Sequence, residues 1–290
     1  RRQRQMCIRD SKYNIGLDVQ LFKKLSFTAD MYYDKRSNIL VSNNKVSGMI
    51  GIDVPQQNVG KVESKGLELS LGWNDKIRDF RYYINGNVSF MDSKVLENGE
   101  GYQPYDYLYA KGHKVGQAFG LEAVGYFRDE EDIRKSPVQT FTTVRPGDVK
   151  YKDMNGDGEI NEFDRTVIGG DKPTCYFGID LGFEWKGLEV TALIQGAYNR
   201  DLYNSDRTLL EGFQVIGQSY GQAYTNLLNR WTPETAETAT YPRLTAGGNM
   251  YNYGNNWNSS LFVQNGNYIR LKNATVSCLL YTSDAADEAR

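Results

Sequence analysis

Apolar and polar residues alternate with a period of two along several stretches of the chain. In the first stretch the apolar members are Tyr13, Ile15, Leu17, Val19 and Leu21. A period of two is the spacing of a β-strand that has one apolar face and one wet face. The predicted strands are residues 13–22, 25–33, 60–73, 80–90, 177–185 and 188–194, and a last strand begins within 267–277. The pattern therefore indicates an all-β protein.

The connections between these strands alternate between short and long. The turns after the first, third and fifth strands have two to six residues, whereas the connections at the other end have tens of residues. Each apolar run is about ten residues, which is enough for a tilted strand to cross a membrane. Barrels of the outer membrane have short periplasmic turns and long extracellular loops. The sequence thus predicts a partial transmembrane antiparallel β-barrel with long extracellular loops. The competing interpretation is a soluble β-sandwich, but the loops of a sandwich are usually short at both ends.

Aromatic residues stand at the ends of the apolar rows, where the interfacial girdles of a barrel would lie. They are Tyr33, Trp73, Phe80, Phe90 and Trp185. The number of crossings between residues 92 and 174 stays open, because the topology requires zero or two and only the segment 115–127 is apolar enough to be one. A weak partner for that segment could lie near residues 140–151.

The segment 147–169 contains a pattern of acids typical of a calcium loop. Its candidate ligands are Asp153, Asn155, Asp157, the carbonyl of Glu159, and Asp164, at positions 1, 3, 5, 7 and 12. Gly158 stands at position 6, where such a loop turns sharply, and Ile160 is expected to anchor the loop to a core. Aspartate at position 12 departs from the EF-hand pattern and is closer to dockerin-type loops. The spacing predicts a Ca²⁺ site, against a turn rich in Asn, Gly and Asp that holds no ion; outside the cell even a weak site of about 10⁻⁴–10⁻³ M would fill.

Composition argues against several other classes of function. The net charge is -2, so no basic excess points to nucleic acid, and His113 is the only histidine, which disfavours a Ser/His/Asp triad or a histidine-ligated metal. The sequence contains no run of about 18 apolar residues, the length that would predict a transmembrane helix. A glycoside hydrolase needs two carboxylates at a fixed separation, and no marked pair exists. We therefore predict that the chain is not an enzyme.

The two ends of the sequence encode each other. The codons CGT CGG CAG CGT CAG ATG TGT ATA AGA GAC, followed by AG, translate as the first ten residues. The reverse complement of that string, read one base in, translates as CLLYTSDAAD, which is residues 278–287. Since unrelated protein ends should not be complementary, we interpret residues 1–11 and 278–290 as read-through of a transposase-type sequencing adapter. Residues 12–277 are then a barrel segment truncated on both sides.

An ordered set of segments resembles the SusC/RagA-type TonB-linked outer-membrane proteins of Gram-negative bacteria. The segments are YNIGLD at 13–18, LSFTADMYYDKRSN at 25–38, NVGKVESKGLELSLGW at 58–73, YKDMNGDGEINEFDRTVIG at 151–169, RWTP at 230–233, YPR at 241–243 and YIRLKNATVS at 268–277. The resemblance implies a segment of a plugged 22-stranded barrel that imports oligosaccharides or other nutrients. It also implies a SusD-like surface lipoprotein as partner, a location in the outer-membrane lipid, and energy from the TonB-ExbB-ExbD system through an N-terminal part that this segment lacks.

Other candidate residues would contact the transported substrate. Aromatic side chains can stack on the apolar faces of sugar rings, which makes Tyr251, Tyr253 and Trp257 candidate substrate-binding residues; the competing interpretation is ordinary loop packing or contact with the lipoprotein. The alternative for the whole chain is a surface-exposed β-sandwich that binds glycan and carries a dockerin-like calcium loop.

Overall fold

The computed structural model describes residues 8–42, 44, 55–203, 225–244 and 258–278. The strands are β1 Arg9–Leu21, β2 Leu25–Val41, β3 Gln57–Ile77, β4 Phe80–Glu97, β5 Gln117–Leu121, β6 Ala123–Tyr126, β7 Val138–Gln139, β8 Val149–Tyr151, β9 Glu159–Ile160, β10 Arg165–Gly170, β11 Cys175–Trp185, β12 Leu188–Tyr198, β13 Asp201–Tyr203, β14 Val263–Asn265 and β15 Tyr268–Cys278. One α-helix, α1, spans Glu130–Lys135, and 3-10 turns occur at Asp106–Leu108, Glu162–Asp164, Thr225–Asn229 and Ser260–Phe262.

Seven long strands form one antiparallel sheet in the order β1-β2-β3-β4-β11-β12-β15. Every predicted strand is present, so the period-two pattern is confirmed. Strands β2 and β3 also extend beyond their apolar rows, to 17 and 21 residues, because their ends near the long loops go on pairing with each other. Most of the two ends interpreted as adapter-derived, residues 1–7 and 279–290, lies outside the described residues.

The sheet has a short-turn end and a long-loop end. At the short-turn end the chain reverses at residues 22–24, 78–79 and 186–187. The turn after β3 is tighter than the sequence predicted, because the ladder runs on to the pair Ile77 and Phe80. Phe22, Lys23, Arg78 and Lys186 take positive φ there. The long connections all start from the opposite end.

Strand β4 pairs directly with β11, which settles how often the chain crosses between residues 92 and 174. Phe90 is the partner of Cys175 and Phe80 is the partner of Trp185, so no strand of the sheet intervenes. The apolar segment 115–127 is not a crossing; it splits into β5 and β6, which pair with β10 and β8. Its apolar side chains serve a different core, described below.

One face of the seven-stranded sheet, called the apolar face, carries the apolar rows and leaves them uncovered. Ile15, Ile84 and Ile269 expose 76%, 51% and 75% of their surface. A β-sandwich would bury such rows against a second sheet about 10 Å away, and the described residues place no sheet there. The soluble sandwich is therefore the wrong architecture for this chain.

The height of the apolar face fits a membrane. From Phe80 to Phe90 along β4 the chain takes ten steps, or roughly 34 Å at about 3.4 Å per residue. With a strand tilt of about 45° this spans roughly 24 Å, close to the apolar band of about 25 Å on outer-membrane barrels. The other face, called the polar face, carries side chains such as Asp18, Glu68 and Asn87. No helix among the described residues is long and apolar enough to span a membrane.

Tyrosines on the polar face lie over glycines of the neighbouring strand. A β-carbon on Gly66 would come within 2.4 Å of the Tyr32 ring, and one on Gly182 within 2.6 Å of the Tyr83 ring. Because each glycine leaves room for a ring, the tyrosine rings lie flat against the polar face of the sheet. This arrangement lines the polar face with aromatic and hydrogen-bonding surface.

Candidate functional site at the long-loop end

The long connections form a unit with its own core, called here the loop assembly and made of residues 98–174, 225–244 and 258–262. Its buried cluster consists of Leu121, Val149, Tyr151, Ile160 and Phe262. Strand β5 is joined to the later loop by a hydrogen bond from the Leu121 N–H to the Asn258 carbonyl at 2.8 Å. The long connections thus pack together as one structured unit rather than as independent loops.

The predicted calcium loop is built from turns in which carboxylates accept backbone N–H groups. Asp153 accepts from Gly156 at 2.6 Å and from Gly158 at 2.9 Å. Burial raises the pKa of Asp153, but these backbone donors outweigh it, and the net pKa lies below its ordinary value. Gly158 has φ +85, as the sharp turn requires. The expected anchor Ile160 is buried in the core cluster, so that prediction is confirmed.

Asp164, the candidate at position 12, is fully buried, and its hydrogen bonds join two parts of the same loop. Its two carboxylate oxygens accept from the Met154 N–H and the Asn161 N–H, both at 2.8 Å. The exchange with Asn161 completes a capping box at the start of the 3-10 turn Glu162–Asp164. The aspartate at position 12 therefore acts as an acceptor within the loop itself.

Calcium binding by this loop stays a prediction. Within the described ranges, no three His, Cys, Asp or Glu side chains converge as a set that could hold a metal ion. Titration of the intact protein with Ca²⁺ in a calorimeter is expected to show a weak site of about 10⁻⁴–10⁻³ M that Asp153→Asn weakens. Absence of binding heat up to about 10 mM Ca²⁺, roughly tenfold above that range, would leave the loop as a turn without an ion.

Replacement of Asp164 with alanine is expected to lower the unfolding free energy of the loop assembly by about 2 kcal/mol or more. The reason is that two partly buried N–H groups lose their acceptors, each worth roughly 1–3 kcal/mol. Hydrogen exchange at Met154 and Asn161 measures the effect. The matched control is Asp157→Ala, because Asp157 is exposed and its partners Glu159 N–H and Asn155 can turn to water; equal losses in both variants would contradict the role of Asp164.

The aromatic candidates Tyr251, Tyr253 and Trp257 lie outside the described residues. The structure instead presents tyrosines of the segment 102–109, which the sequence reasoning missed. Tyr105 and Tyr107 stack with ring centroids 5.4 Å apart, and the Tyr107 hydroxyl donates to the Phe163 carbonyl at 2.8 Å. Burial first, then the nearby Asp164 and other groups, raises the pKa of Tyr107 to about 12. The signal was the run of four tyrosines in GYQPYDYLY.

A cavity of 760 Å³ opens beside this tyrosine segment. Its lining includes Tyr102, Tyr109, Lys94, Lys111 and Glu100. The Glu100 carboxylate shapes one wall by accepting from the Ala110 and Lys111 N–H groups at 2.8 and 3.1 Å. Tyr102 exposes 88% of its surface. The cavity therefore offers an aromatic face and charges of both signs to a polar solute.

The segments RWTP and YPR form a buried clamp on the loop core. Arg243 Nε donates to Asp148 Oδ1 at 2.7 Å, and Asp148 Oδ2 also accepts from the Arg145 N–H at 2.8 Å. Burial raises the pKa of Asp148 above its ordinary value although Arg243 opposes the shift. Gly147 has φ +89, and a β-carbon there would lie 2.5 Å from the Trp231 ring. These motifs therefore hold the 225–244 segment in place.

A second, more exposed ion pair ties helix α1 to β8. Lys150 Nζ lies 2.8 Å from Asp132 Oδ1. Burial raises the pKa of Asp132, but the hydrogen bonds from Lys150 and from the Arg128 N–H outweigh it, and the net pKa is lowered. Tyr126 on the adjacent β6 donates its hydroxyl to the Thr240 carbonyl at 2.8 Å, and burial raises its pKa to about 12. Both contacts strengthen the same packed unit.

Comparisons with known proteins agree with this architecture. No protein-family model matches the chain. The TonB-dependent receptor P26 of Formosa agariphila is 29% identical over 271 residues, which cover 89% of this chain and 26% of that receptor. The TonB-dependent receptor P3 of the same organism is 25% identical over 274 residues, covering 90% of this chain and 26% of the receptor. Both names belong to the class that the sequence motifs resemble, and the chain spans about a quarter of the length of these relatives.

Solved structures of the RagAB system share the fold. The RagAB peptide transporter aligns with a TM-score of 0.67 at 21% identity, covering 93% of this chain and 28% of that chain. The RagAB peptide importer in its 'open-open' state gives a TM-score of 0.68 at 20% identity, with the same coverage. The fold is thus that of a segment of these barrels, and the sheet is not closed within the described residues.

Proposed function

We propose that the chain is part of an outer-membrane, TonB-dependent importer of oligosaccharides or other nutrients. The observation that carries the proposal is the pairing of an exposed apolar sheet face of membrane height with a packed loop assembly at one end. An importer needs a lipid-facing wall and a structured mouth, and these two features supply them. Relatives named TonB-dependent receptors support the assignment.

The long-loop end is the extracellular end in this proposal, because outer-membrane barrels place their short turns in the periplasm. The polar face then lines the lumen, and the apolar face contacts lipid. An isolated seven-stranded sheet would leave edge hydrogen-bonding groups unpaired in lipid. Transport therefore belongs to the whole protein, in which further strands close the barrel.

Two partners follow from the proposal. A SusD-like surface lipoprotein would cover the loop assembly, as the two-component name of the RagAB transporter suggests for that protein. The TonB-ExbB-ExbD system would supply energy through a part of the protein beyond this segment. The substrate stays at the level of oligosaccharides or other nutrients, and catalysis is not part of the proposal.

The experiment is an in-frame deletion of the full-length gene in its own bacterium. Uptake of the cognate nutrient, identified by growth on a panel of oligosaccharides and peptides, is expected to be lost on deletion and restored by the intact gene. It is also expected to stop when a protonophore collapses the inner-membrane gradient. Growth and uptake that are unchanged on every nutrient of the panel would contradict the proposal.

Tyr102→Ala in the intact protein is expected to weaken nutrient binding by about threefold to tenfold, the worth of one aromatic contact. Tyr102 is exposed at the 760 Å³ cavity, so truncation removes a stacking face without disturbing a core. Calorimetry with the nutrient found in the growth panel measures the change. Phe22→Ala is the control, since Phe22 is equally exposed but lies in a short turn; equal affinities of the Tyr102 variant and the unmodified protein would remove this cavity from the binding path.

A further inference from the structure

Two adjoining cavities lie on the apolar face of the sheet, near its long-loop end. The lower one is an apolar groove of 570 Å³, lined chiefly by Tyr13, Ile15, Met31, Tyr33, Leu67 and Phe90. The upper one is a polar cavity of 410 Å³. Lys65 and Asp92 line both cavities, so the two adjoin at these residues and are together called the depression.

The register of the strands fixes the order of the two cavities along the membrane normal. Lys65 pairs with Asp92, and two residues nearer the long loops Glu63 stands beside Lys94. Tyr13 and Tyr33 pair with each other in the same row as Lys65, with ring centroids 6.4 Å apart. Tyrosines of this kind mark the level of the lipid headgroups. The groove therefore lies at acyl-chain height and the polar cavity at headgroup height.

The polar cavity has an excess of cations. Lys65, Lys94 and Lys114 line it together with the carboxylates of Glu63 and Asp92. Lys65 Nζ is 3.9 Å from Asp92, at the limit of an ion pair, and Glu63 accepts from the Tyr33 hydroxyl at 3.1 Å. Within the described part of the chain, the ammonium groups of Lys94 and Lys114 have no ion-pair partner. Two ammonium groups are thus available to an anion.

The cations at the short-turn end are arranged differently. Lys24 Nζ lies 2.7 Å from the Asp75 carboxylate. Lys186 Nζ stands 5.4 Å from the centre of the Trp185 ring, where the π-face satisfies part of its charge. Lys23 and Lys76 at this end have no ion pair among the described residues, but neither of them lines the apolar groove or the polar cavity. The long-loop end is therefore distinguished by lysines that line a cavity next to an apolar groove.

We propose that this depression binds a phosphate-bearing lipid of the outer leaflet. The acyl chain would fill the apolar groove, and the phosphate would lie among Lys65, Lys94 and Lys114, because lysines at a membrane surface attract anionic headgroups. The proposal rests on the outer-membrane placement argued above and goes beyond import. The groove opens on the apolar face, away from the lumen, whereas the polar cavity shares Lys94 and Gly112 with the 760 Å³ cavity.

The test uses the intact protein that contains this segment, purified in detergent and titrated with lipid A in native mass spectrometry. Unmodified protein is expected to bind bisphosphorylated lipid A at least about tenfold more tightly than the dephosphorylated form. The combined variant Lys65→Gln/Lys94→Gln/Lys114→Gln is expected to lose that preference. The control variant Lys23→Gln/Lys76→Gln/Lys186→Gln removes three lysines from the short-turn end and is expected to keep it.

Equal binding of the two lipids by the unmodified protein would overturn the proposal, as would an unchanged preference in the first variant. The comparison of the two lipids needs no substitution, so it decides the matter even if a variant does not fold. Heat-dependent gel mobility checks folding of each variant. Because no nutrient is present, a negative result here leaves the import proposal standing, and a failure of uptake leaves this one standing.

Discussion

Arg243→Ala is expected to destabilise the loop assembly by about 3–5 kcal/mol, the usual result of removing one partner from a buried ion pair. Asp148 is fully buried and the Arg243 side chain is only 19% exposed, so the carboxylate would be left without its cation and out of reach of water. The segment 225–244 would lose its ion pair with Asp148, the residue that precedes β8. Hydrogen–deuterium exchange of that segment in the intact protein measures the loss.

The destabilisation should depend on pH in a defined direction. Burial already raises the pKa of Asp148, and without Arg243 the pKa should rise further. A group with a raised pKa in the folded state stabilises fully below its unfolded pKa and loses that contribution as pH rises through the folded value. The variant should therefore be closer to the unmodified protein at pH 5 than at pH 7.

Lys135→Ala is the control for this prediction. Lys135 Nζ lies 2.6 Å from Glu131, but both side chains are more than half exposed. Exposed ion pairs contribute little to stability. Hydrogen exchange in α1 should therefore change little in this variant, and hydrogen exchange in 225–244 should not change. An Arg243 variant that behaves like this control would show that the clamp does not hold the segment.

Leu71→Arg is expected to prevent or strongly weaken insertion of the barrel, whereas Ser70→Arg is expected to be tolerated. The two positions are neighbours in β3 and point to opposite faces. Leu71 lies on the apolar face, 53% exposed, and an arginine near the bilayer midplane costs about 2–4 kcal/mol. Ser70 lies between Thr28 and Asn87 on the polar face, where the lumen is wet.

The yield of heat-modifiable protein in the outer membrane measures both variants. Equal yields for the two would contradict the assignment of the faces. If Ser70→Arg alone failed to insert into the outer membrane, the polar face would be the buried one.

The seven strands of the large sheet could be predicted from sequence because each has a wet face and an apolar face. The upper parts of β2 and β3 could not, since their pairing above the apolar band needs no alternation of hydrophobicity. The segment 115–127 was ambiguous for a related reason. Leu121 and Phe127 are almost fully buried in the loop assembly, and a core residue and a lipid-facing residue look alike in the sequence. Only the contacts with distant residues such as Asn258 separate the two cases.

The candidate calcium loop shows a similar limit. Acids at alternate positions can bind an ion or can accept backbone N–H groups in successive turns, and the same spacing serves both. Asp164 takes the second role in the structure, where burial and two N–H donors define it. The clamp between Arg243 and Asp148 joins residues 95 positions apart, so no local pattern could have predicted it.

The most direct test of the account is the environment of residues 67–73 in the intact protein in lipid bilayers. Each position would carry a nitroxide spin label on an introduced cysteine, and collisions with oxygen and with a water-soluble nickel chelate would be compared. The account predicts a period of two, with the odd positions 67, 69, 71 and 73 accessible to oxygen from the lipid and the even positions accessible to the chelate. Odd positions shielded from both reagents would mean a buried protein core, which would contradict a membrane-spanning barrel wall.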